Sequence, residues 1–221
     1  RSTLFPYTTL FRSRSIQDGV NLYGGFVGDE PADYDISQRD LLTNITILDG
    51  QTVQRVINQA SAFTNVTYID GFTVRNGYPH GNNFNAGSGM YLLDNSYVKN
   101  CIITNCNSEG STKGAVCLVN ATMTHCQIVN NTALVDGYLS DIGCGVYANN
   151  SILDNCLIAN NSGRGVGMAN GTQVTSCDIV NNTLSGFYGF DDYANGSVVN
   201  SIIWGNSELR GGGDRDRKSV V

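Results

Sequence analysis

Apolar and polar positions repeat in one motif along most of the chain. The motif returns from Tyr68 onward as YIDGFTVRNG, VKNCIITNCN, MTHCQIVNNT, LDNCLIANNS, VTSCDIVNNT and VVNSIIWGNS. Its first column holds the apolar residues Ile69, Val98, Met123, Leu153, Val174 and Val198. Three residues later, a second column holds Phe72, Cys101, Cys126, Cys156, Cys177 and Ser201. Two further steps of two residues lead to Val74, Ile103, Ile128, Ile158, Ile179 and Ile203, and then to Asn76, Asn105, Asn130, Asn160 and Asn181.

The spacing of the columns predicts short β-strands joined by tight bends. A step of two is the strand period, so the last three columns face one side, and the step of three indicates a bend. A further strand precedes each repeat, as in GMYLLDN, AVCLVN, CGVYANN and GVGMANG. A period of about 21 to 30 residues is typical of a solenoid. Leucine-rich repeats have a similar period, but the columns here hold Ile, Val and Cys, which favour strands.

These features predict an all-β fold, a parallel β-helix (solenoid) of about eight turns with loops projecting from one corner. Each turn would stack ~4.8 Å above the last, so that equivalent residues form ladders. We expect an inward thiol ladder of Cys101, Cys126, Cys156 and Cys177. We also expect an Asn ladder of Asn76, Asn105, Asn130, Asn160 and Asn181. Its amides would bond the turns above and below, and its backbone would adopt the left-handed conformation of a bend.

The motifs DGVNLYGGFVGDE, RDLLTNITILDG, IDGFTVRNG and the repeated NCxIxNN resemble a known family. They are similar to the right-handed parallel β-helix repeat proteins of the pectate-lyase-like superfamily, and within it to secreted and surface repeat proteins of bacteria. The resemblance implies a right-handed coil and an extracellular or bacterial cell-surface location. It implies little about activity, because this architecture carries lyases, hydrolases and adhesins.

The two ends of the chain differ from the repeats in composition and period. Residues 1–13 include TLFPYTTLFRS and residues 214–221 include DRKSVV, and both resemble translated sequencing adapters. We therefore expect residues 14–213 to be a β-helix fragment, with any export signal and anchor outside it.

Charge and composition narrow the class of partner. The formal net charge is −6, and no basic stripe is present, which argues against nucleic acid. The chain also lacks a run of ~18 apolar residues, so we expect no membrane span in this fragment.

The candidate chemistry of the repeats is sparse. The column cysteines are expected to be buried thiols, with ladder disulfides as the alternative, and no metal site is predicted. Asp70 and Asp154 would share an outward ladder three turns apart, roughly 14 Å, which is too far for a glycosidase carboxylate pair. His125 falls in an outward column and is expected to be solvated. No catalytic residues are predicted.

The insertions carry aromatic and charged residues that suit sugar binding, because aromatic rings stack on apolar sugar faces. The candidate glycan-contact residues are Tyr78, His80, Phe84, Asp136, Tyr138, Asp141, Arg164, Phe187, Tyr188, Asp191 and Asp192. The alternative is that these aromatic residues pack the loops onto the coil.

The sequence favours a non-catalytic secreted or cell-surface domain, adhesin-like or glycan-binding, with a polysaccharide or surface glycan as its partner. The alternative is a polysaccharide lyase or glycoside hydrolase of the same superfamily, so enzymatic activity stays open. No cofactor is expected, and Ca²⁺ enters only under the lyase alternative.

Overall fold

The computed structural model describes residues 2–6, 14–78, 87–109, 113–134, 144–189 and 195–207. The strands begin with β1 (Ser2–Pro6), β2 (Arg14–Ser15), β3 (Asn21–Phe26), β4 (Thr46–Asp49), β5 (Ile57–Asn58), β6 (Thr67–Asp70), β7 (Phe72–Arg75) and β8 (Met90–Leu92). They continue with β9 (Ser96–Lys99), β10 (Ile102–Thr104), β11 (Asn107–Glu109), β12 (Val116–Val119), β13 (Thr122–Thr124), β14 (Gln127–Val129), β15 (Thr132–Leu134) and β16 (Cys144–Asn149). They end with β17 (Ile152–Asp154), β18 (Leu157–Ala159), β19 (Arg164–Ala169), β20 (Gln173–Thr175), β21 (Asp178–Val180), β22 (Phe187–Gly189), β23 (Ser197–Val199) and β24 (Ile202–Trp204). A 3-10 helix, Ile36–Gln38, lies between β3 and β4.

Three parallel sheets enclose the core, and we call them walls A, B and C. Wall A has the order β1-β3-β6-β9-β13-β17-β20-β23, wall B β4-β7-β10-β14-β18-β21-β24, and wall C β2-β5-β8-β12-β16-β19-β22. From β2 onward, the chain runs repeatedly from wall C to wall A to wall B and then rises to the next turn. Within the described ranges, wall A has eight strands and the other two walls have seven each, so the predicted parallel solenoid is confirmed. A small extra sheet, β11-β15, lies between walls B and C in chain order.

The register of walls A and B follows the sequence columns. On wall A, the paired first-column residues are Ile69, Val98, Met123, Leu153, Val174 and Val198. On wall B, the paired third-column residues are Val74, Ile103, Ile128, Ile158, Ile179 and Ile203. Most of these side chains are fully buried in one continuous core. Strand β1, within the segment of adapter-like sequence, extends wall A by pairing in parallel with β3.

Each of the three bends of a turn contains a residue with a left-handed backbone. The A-to-B bends use Asn100, His125, Asn155, Ser176 and Asn200, and the B-to-C bends use Asn76, Asn105, Asn130, Asn160 and Asn181. The C-to-A bends use Asn95, Asn120, Asn150 and Asn170. Asn tolerates this conformation better than most residues, which explains why it is so frequent in the repeats. His125 is exposed in such a bend, as its outward column predicted.

At many bends the next residue points inward, and its side chain accepts a backbone N–H from the preceding turn. At the B-to-C bend this acceptor is the second Asn of each NN pair, as in Asn131 and Asn161. The ladder of amides predicted for the column of Asn76, Asn105, Asn130, Asn160 and Asn181 therefore forms one residue later, and its members are Asn131, Asn161, Asn182 and Asn206. Gly77 and Cys106, which follow the first two Asn residues, have no side-chain amide and are not members of it. The first Asn makes the bend and faces outward, whereas the second turns its amide into the core.

The insertions that follow Asn76, Asn105 and Asn130 all join wall B to wall C, as expected, but long connections also occur at the other corners. Residues 27–45 join wall A to wall B, and residues 59–66 join wall C to wall A. Phe187 and Tyr188 lie in β22 of wall C, although the sequence had predicted them in an insertion. Phe187 pairs with Val166 and packs against the core, because it continues the inward apolar column of that wall.

Candidate functional site

Most of the predicted glycan-contact residues lie outside the part of the chain that the structure describes. These residues are His80, Phe84, Asp136, Tyr138, Asp141, Asp191 and Asp192. Of the others, Tyr78 is half-buried and its backbone N–H donates to Gln54 O at 3.0 Å. Arg164 is half-buried in β19, and the core contact of Phe187 makes that residue structural. The described members of the set therefore do not form one exposed surface.

Asp70 is bound in a nearly buried ion pair. Its Oδ2 lies 2.8 Å from Arg39 Nη2, and its Oδ1 accepts a hydrogen bond from Asn100 Nδ2 at 2.9 Å. The Arg39 guanidinium also donates to Gly24 O at 3.0 Å and lies 5.0 Å from the Tyr23 ring centroid. Arg39 thus fixes the 27–45 connection against the coil. Sequence columns could not identify this partner, because it lies in an insertion outside the repeat.

Asp49 and Asp18 also have structural roles. Asp49 accepts hydrogen bonds from Arg75 Nε at 2.7 Å and Asn76 Nδ2 at 3.0 Å. Asp18 accepts from Thr64 Oγ1 at 2.6 Å and from the Asn65 backbone N–H at 2.8 Å. These bonds, that of Thr64 foremost, hold the pKa of Asp18 down to about 2. Both carboxylates stabilise connections between turns.

The remaining acids of the repeats do not converge. Asp154 pairs in the outward ladder with Thr124 and Thr175, as the columns predicted. Asp178 pairs with Leu157 and Ile202. Across the described ranges, no three His, Cys, Asp or Glu side chains are grouped so that they could hold a metal ion. The structure therefore supplies no described carboxylate cluster to which a catalytic role could be assigned.

The thiol column forms hydrogen bonds between turns. Cys101, Cys126, Cys156 and Cys177 are buried and not joined by disulfides. Cys126 Sγ accepts the Cys101 backbone N–H at 3.4 Å and donates to Thr124 O at 3.2 Å. Ser201 continues the column, and its Oγ accepts the Cys177 N–H at 3.1 Å. Burial raises the pKa of the Cys126 thiol well above its ordinary value, so this thiol is suited to packing rather than to nucleophilic chemistry.

Two neighbouring turns present exposed tyrosines on the outer face of wall A. Tyr68 and Tyr97 are paired residues of β6 and β9, with 42% and 38% of their surface exposed. Their ring centroids are 5.5 Å apart and their planes are inclined by 44°. The outward ladder continues through Thr122 to Ile152, which is 41% exposed. We call Tyr68, Tyr97, Thr122 and Ile152 the tyrosine column.

The outer face of wall A has little net charge beside the tyrosine column. A second outward ladder on the same wall contains Asp70, Lys99, Thr124 and Asp154. Arg39 neutralises Asp70, which leaves Lys99 and Asp154 as one cation and one anion. The sequence does show that Tyr68 and Tyr97 occupy equivalent positions one residue before the first apolar column, but it does not show that their rings are exposed. The sequence prediction placed the candidate contacts in the insertions and did not include this surface.

A second aromatic row, on the outer face of wall C, is covered by other side chains. Tyr91, Cys117 and Tyr147 are paired across β8, β12 and β16. The Arg55 guanidinium lies 5.6 Å from the Tyr91 ring centroid, and Lys113 Nζ lies 4.2 Å from that of Tyr147. Cys117 and Tyr147 are buried beneath these contacts. This row is a packed cluster, so among the described residues the tyrosine column is the better candidate for binding a ligand.

The fold and its ladders define a parallel β-solenoid repeat domain without a described catalytic cluster. A family model, described as the right handed beta helix region, matches residues 56–215. The chain belongs to this family, and the resemblance of its motifs to right-handed parallel β-helix repeats is confirmed. No curated protein and no solved structure matches the chain. Among the described residues, no helix has the length and apolar character needed to cross a membrane.

Proposed function

We propose that this β-helix domain is non-catalytic and binds a glycan on the outer face of wall A. The exposed pair of Tyr68 and Tyr97 carries the proposal. Sugar rings have apolar C–H faces that pack on aromatic rings, and two rings 5.5 Å apart offer contacts to one ligand. The solenoid holds both rings on hydrogen-bonded strands, so little conformational entropy is lost on binding.

The described carboxylates support binding over catalysis. Asp70, Asp49 and Asp18 are each occupied by structural hydrogen bonds or ion pairs. An acid of this kind is a poor general acid or base, because proton transfer would break the contacts that hold a connection in place. These contacts favour the display of a rigid binding face over acid–base catalysis in this part of the molecule.

The proposal includes export to the outside of a bacterial cell, where an adhesin-like domain would meet polysaccharides or surface glycans. It is supported by the similarity of the repeats to those of secreted and surface proteins. Antibodies raised against the chain should label intact cells of the source organism, and external protease should remove that label. Protection of the protein in intact cells, with digestion only after lysis, would contradict export.

A glycan array tests the binding activity. The protein should bind a subset of glycans, and Tyr97→Ala should weaken that binding by about tenfold, because the stacking contact is lost. Tyr97→Phe should bind nearly as well, since it keeps the ring. Gln127→Ala, at an exposed position on wall B, is the matched control. Unchanged binding by Tyr97→Ala would contradict the site. Release of unsaturated or reducing sugars would favour the lyase or hydrolase alternative.

A further inference from the structure

We infer that the ligand is an uncharged linear polysaccharide that lies parallel to the solenoid axis along the tyrosine column. This inference rests on the proposed function and adds the direction and the chemical class of the ligand. It follows from two independent observations, the direction in which the apolar surface extends and the charge of the face around it.

The apolar surface extends along the axis and not along a strand. Tyr68, Tyr97, Thr122 and Ile152 are paired through four consecutive strands of wall A, β6, β9, β13 and β17. Four strands span about 14 Å, because neighbouring strands lie about 4.8 Å apart. Along β9, by contrast, the next outward residue after Tyr97 is Lys99. A polysaccharide therefore keeps contact with apolar side chains only if it runs along the solenoid axis, from one turn to the next.

The tyrosine column ends at Ile152. Beyond Ile152, the outward ladder continues with Gln173 and Ser197, both polar and exposed. A ligand longer than the tyrosine column would therefore gain no further stacking contact beyond Ile152. This limits the length over which affinity can rise with added sugar units.

The charge of the face selects the class of polysaccharide. Lys99 and Asp154 offset each other beside the tyrosine column, and Asp70 is neutralised by Arg39. The whole chain carries a formal net charge of −6. A polyanion would meet long-range repulsion without a group of cations to bind its carboxylates or sulfates. An uncharged polysaccharide is not repelled in this way and can still stack on the tyrosine rings.

Calorimetry with oligosaccharides of increasing length tests the inference. The probes are cello-, xylo- and manno-oligosaccharides from disaccharide to hexasaccharide, with oligogalacturonates as the charged comparison. Affinity for at least one uncharged series should rise over several sugar units and then level off, and oligogalacturonates should bind more weakly.

Two isoleucine variants separate the orientations. Ile152→Ala should weaken binding of the longest oligosaccharide by about threefold to tenfold and leave the disaccharide unaffected, because only a long ligand reaches this turn. Ile102→Ala is the matched control, since Ile102 is 37% exposed on the outer face of wall B. It should change neither affinity.

Three outcomes would overturn the inference. If Tyr97→Ala abolishes binding while Ile152→Ala has no effect, the ligand follows a strand, and the proposed function survives without the orientation. Tighter binding of oligogalacturonates would overturn the chemical class alone. If none of the glycans binds and light scattering shows a dimer that Tyr97→Ala dissociates, the column is an interface between copies, and the proposed function fails as well.

Discussion

Asn161 Oδ1 accepts two hydrogen bonds from Asn131, one from its backbone N–H and one from its side-chain Nδ2, each 3.0 Å long. Asn161 Nδ2 in turn donates to Ile128 O at 2.9 Å and to Asn182 Oδ1 at 3.0 Å. One buried amide therefore connects three turns of the solenoid. The backbone N–H of Asn131 is turned out of the sheet by the preceding bend, and without this amide it would lack an acceptor.

Asn161→Ala should lower the free energy of unfolding by about 2–4 kcal/mol, because it leaves buried donors and acceptors unsatisfied on two neighbouring turns. Urea denaturation followed by circular dichroism measures the loss. Asn160→Gly is the control, since Asn160 is exposed and has a φ of 55°. Glycine adopts that φ readily, so this variant should be nearly neutral. An equal loss in both variants would show that the inward amide has no special role.

Cys126 should tolerate replacement by serine better than by valine. A serine hydroxyl can accept the Cys101 N–H and donate to Thr124 O, as Ser201 does with its own neighbours. We expect Cys126→Ser to cost no more than about 1 kcal/mol and Cys126→Val about 1–3 kcal/mol, because valine removes the acceptor. Thermal unfolding compares the two variants. A more stable valine variant would mean that packing alone determines this column.

Burial raises the pKa of the Cys106 thiol from its ordinary 9.0 to about 12. Above pH 9.0 the unfolded thiol loses its proton whereas the folded one keeps it. The unfolded state then binds fewer protons, so stability falls as pH rises from 9.0 toward about 12. The expected slope from this thiol is about 1.4 kcal/mol per pH unit.

The stability of Cys106→Ala should therefore fall less steeply than that of the parent protein in alkaline buffer. Thiol alkylation followed by peptide mapping is a second measurement, since the folded protein should not be modified at Cys106 until denaturant is added. Rapid alkylation of the folded protein at neutral pH would contradict the burial of this thiol.

Arg39→Ala should cost about 3 kcal/mol, because it leaves the nearly buried Asp70 without its cation. It should also increase proteolytic cleavage within residues 27–45, which Arg39 holds against the coil. Arg75→Ala is the control, since the Arg75 side chain is 37% exposed and Asp49 would keep its hydrogen bonds from the Gln51 backbone N–H and from Asn76 Nδ2. That loss should be about 1 kcal/mol or less. Similar losses in the two variants would show that the Arg39 contacts add little to stability.

The columns of walls A and B were predictable because equivalent positions in each turn pack against the same core and therefore need the same kind of residue. Ile128 and Ile158 are paired on neighbouring strands of wall B, and their recurrence at a fixed distance from the bends is visible in the sequence. The repeated Asn pairs were equally visible. Which Asn of the pair faces inward depends on how the bend rotates the backbone, and the one-position error arose there.

The candidate site was harder to predict, because its residues are adjacent only across turns. Tyr68 and Tyr97 are separated by an insertion, and nothing in either segment shows that both rings remain uncovered. Tyr91 and Tyr147 have the same alternating pattern on wall C, yet Arg55 and Lys113 cover that row. Whether an outward aromatic side chain is exposed therefore depends on which other residues pack over its strand, and the sequence of the strand itself does not show this.

The sequence by itself determined the solenoid, its bends and the inward columns, because these depend on local periodicity and on the backbone preferences of Asn, Ile and Val. The tertiary structure alone decided which acids are neutralised, as in the pair of Arg39 and Asp70. It alone decided which aromatic residues face solvent. Both outcomes depend on contacts between a repeat and an irregular connection, and such contacts have no period that a sequence could display.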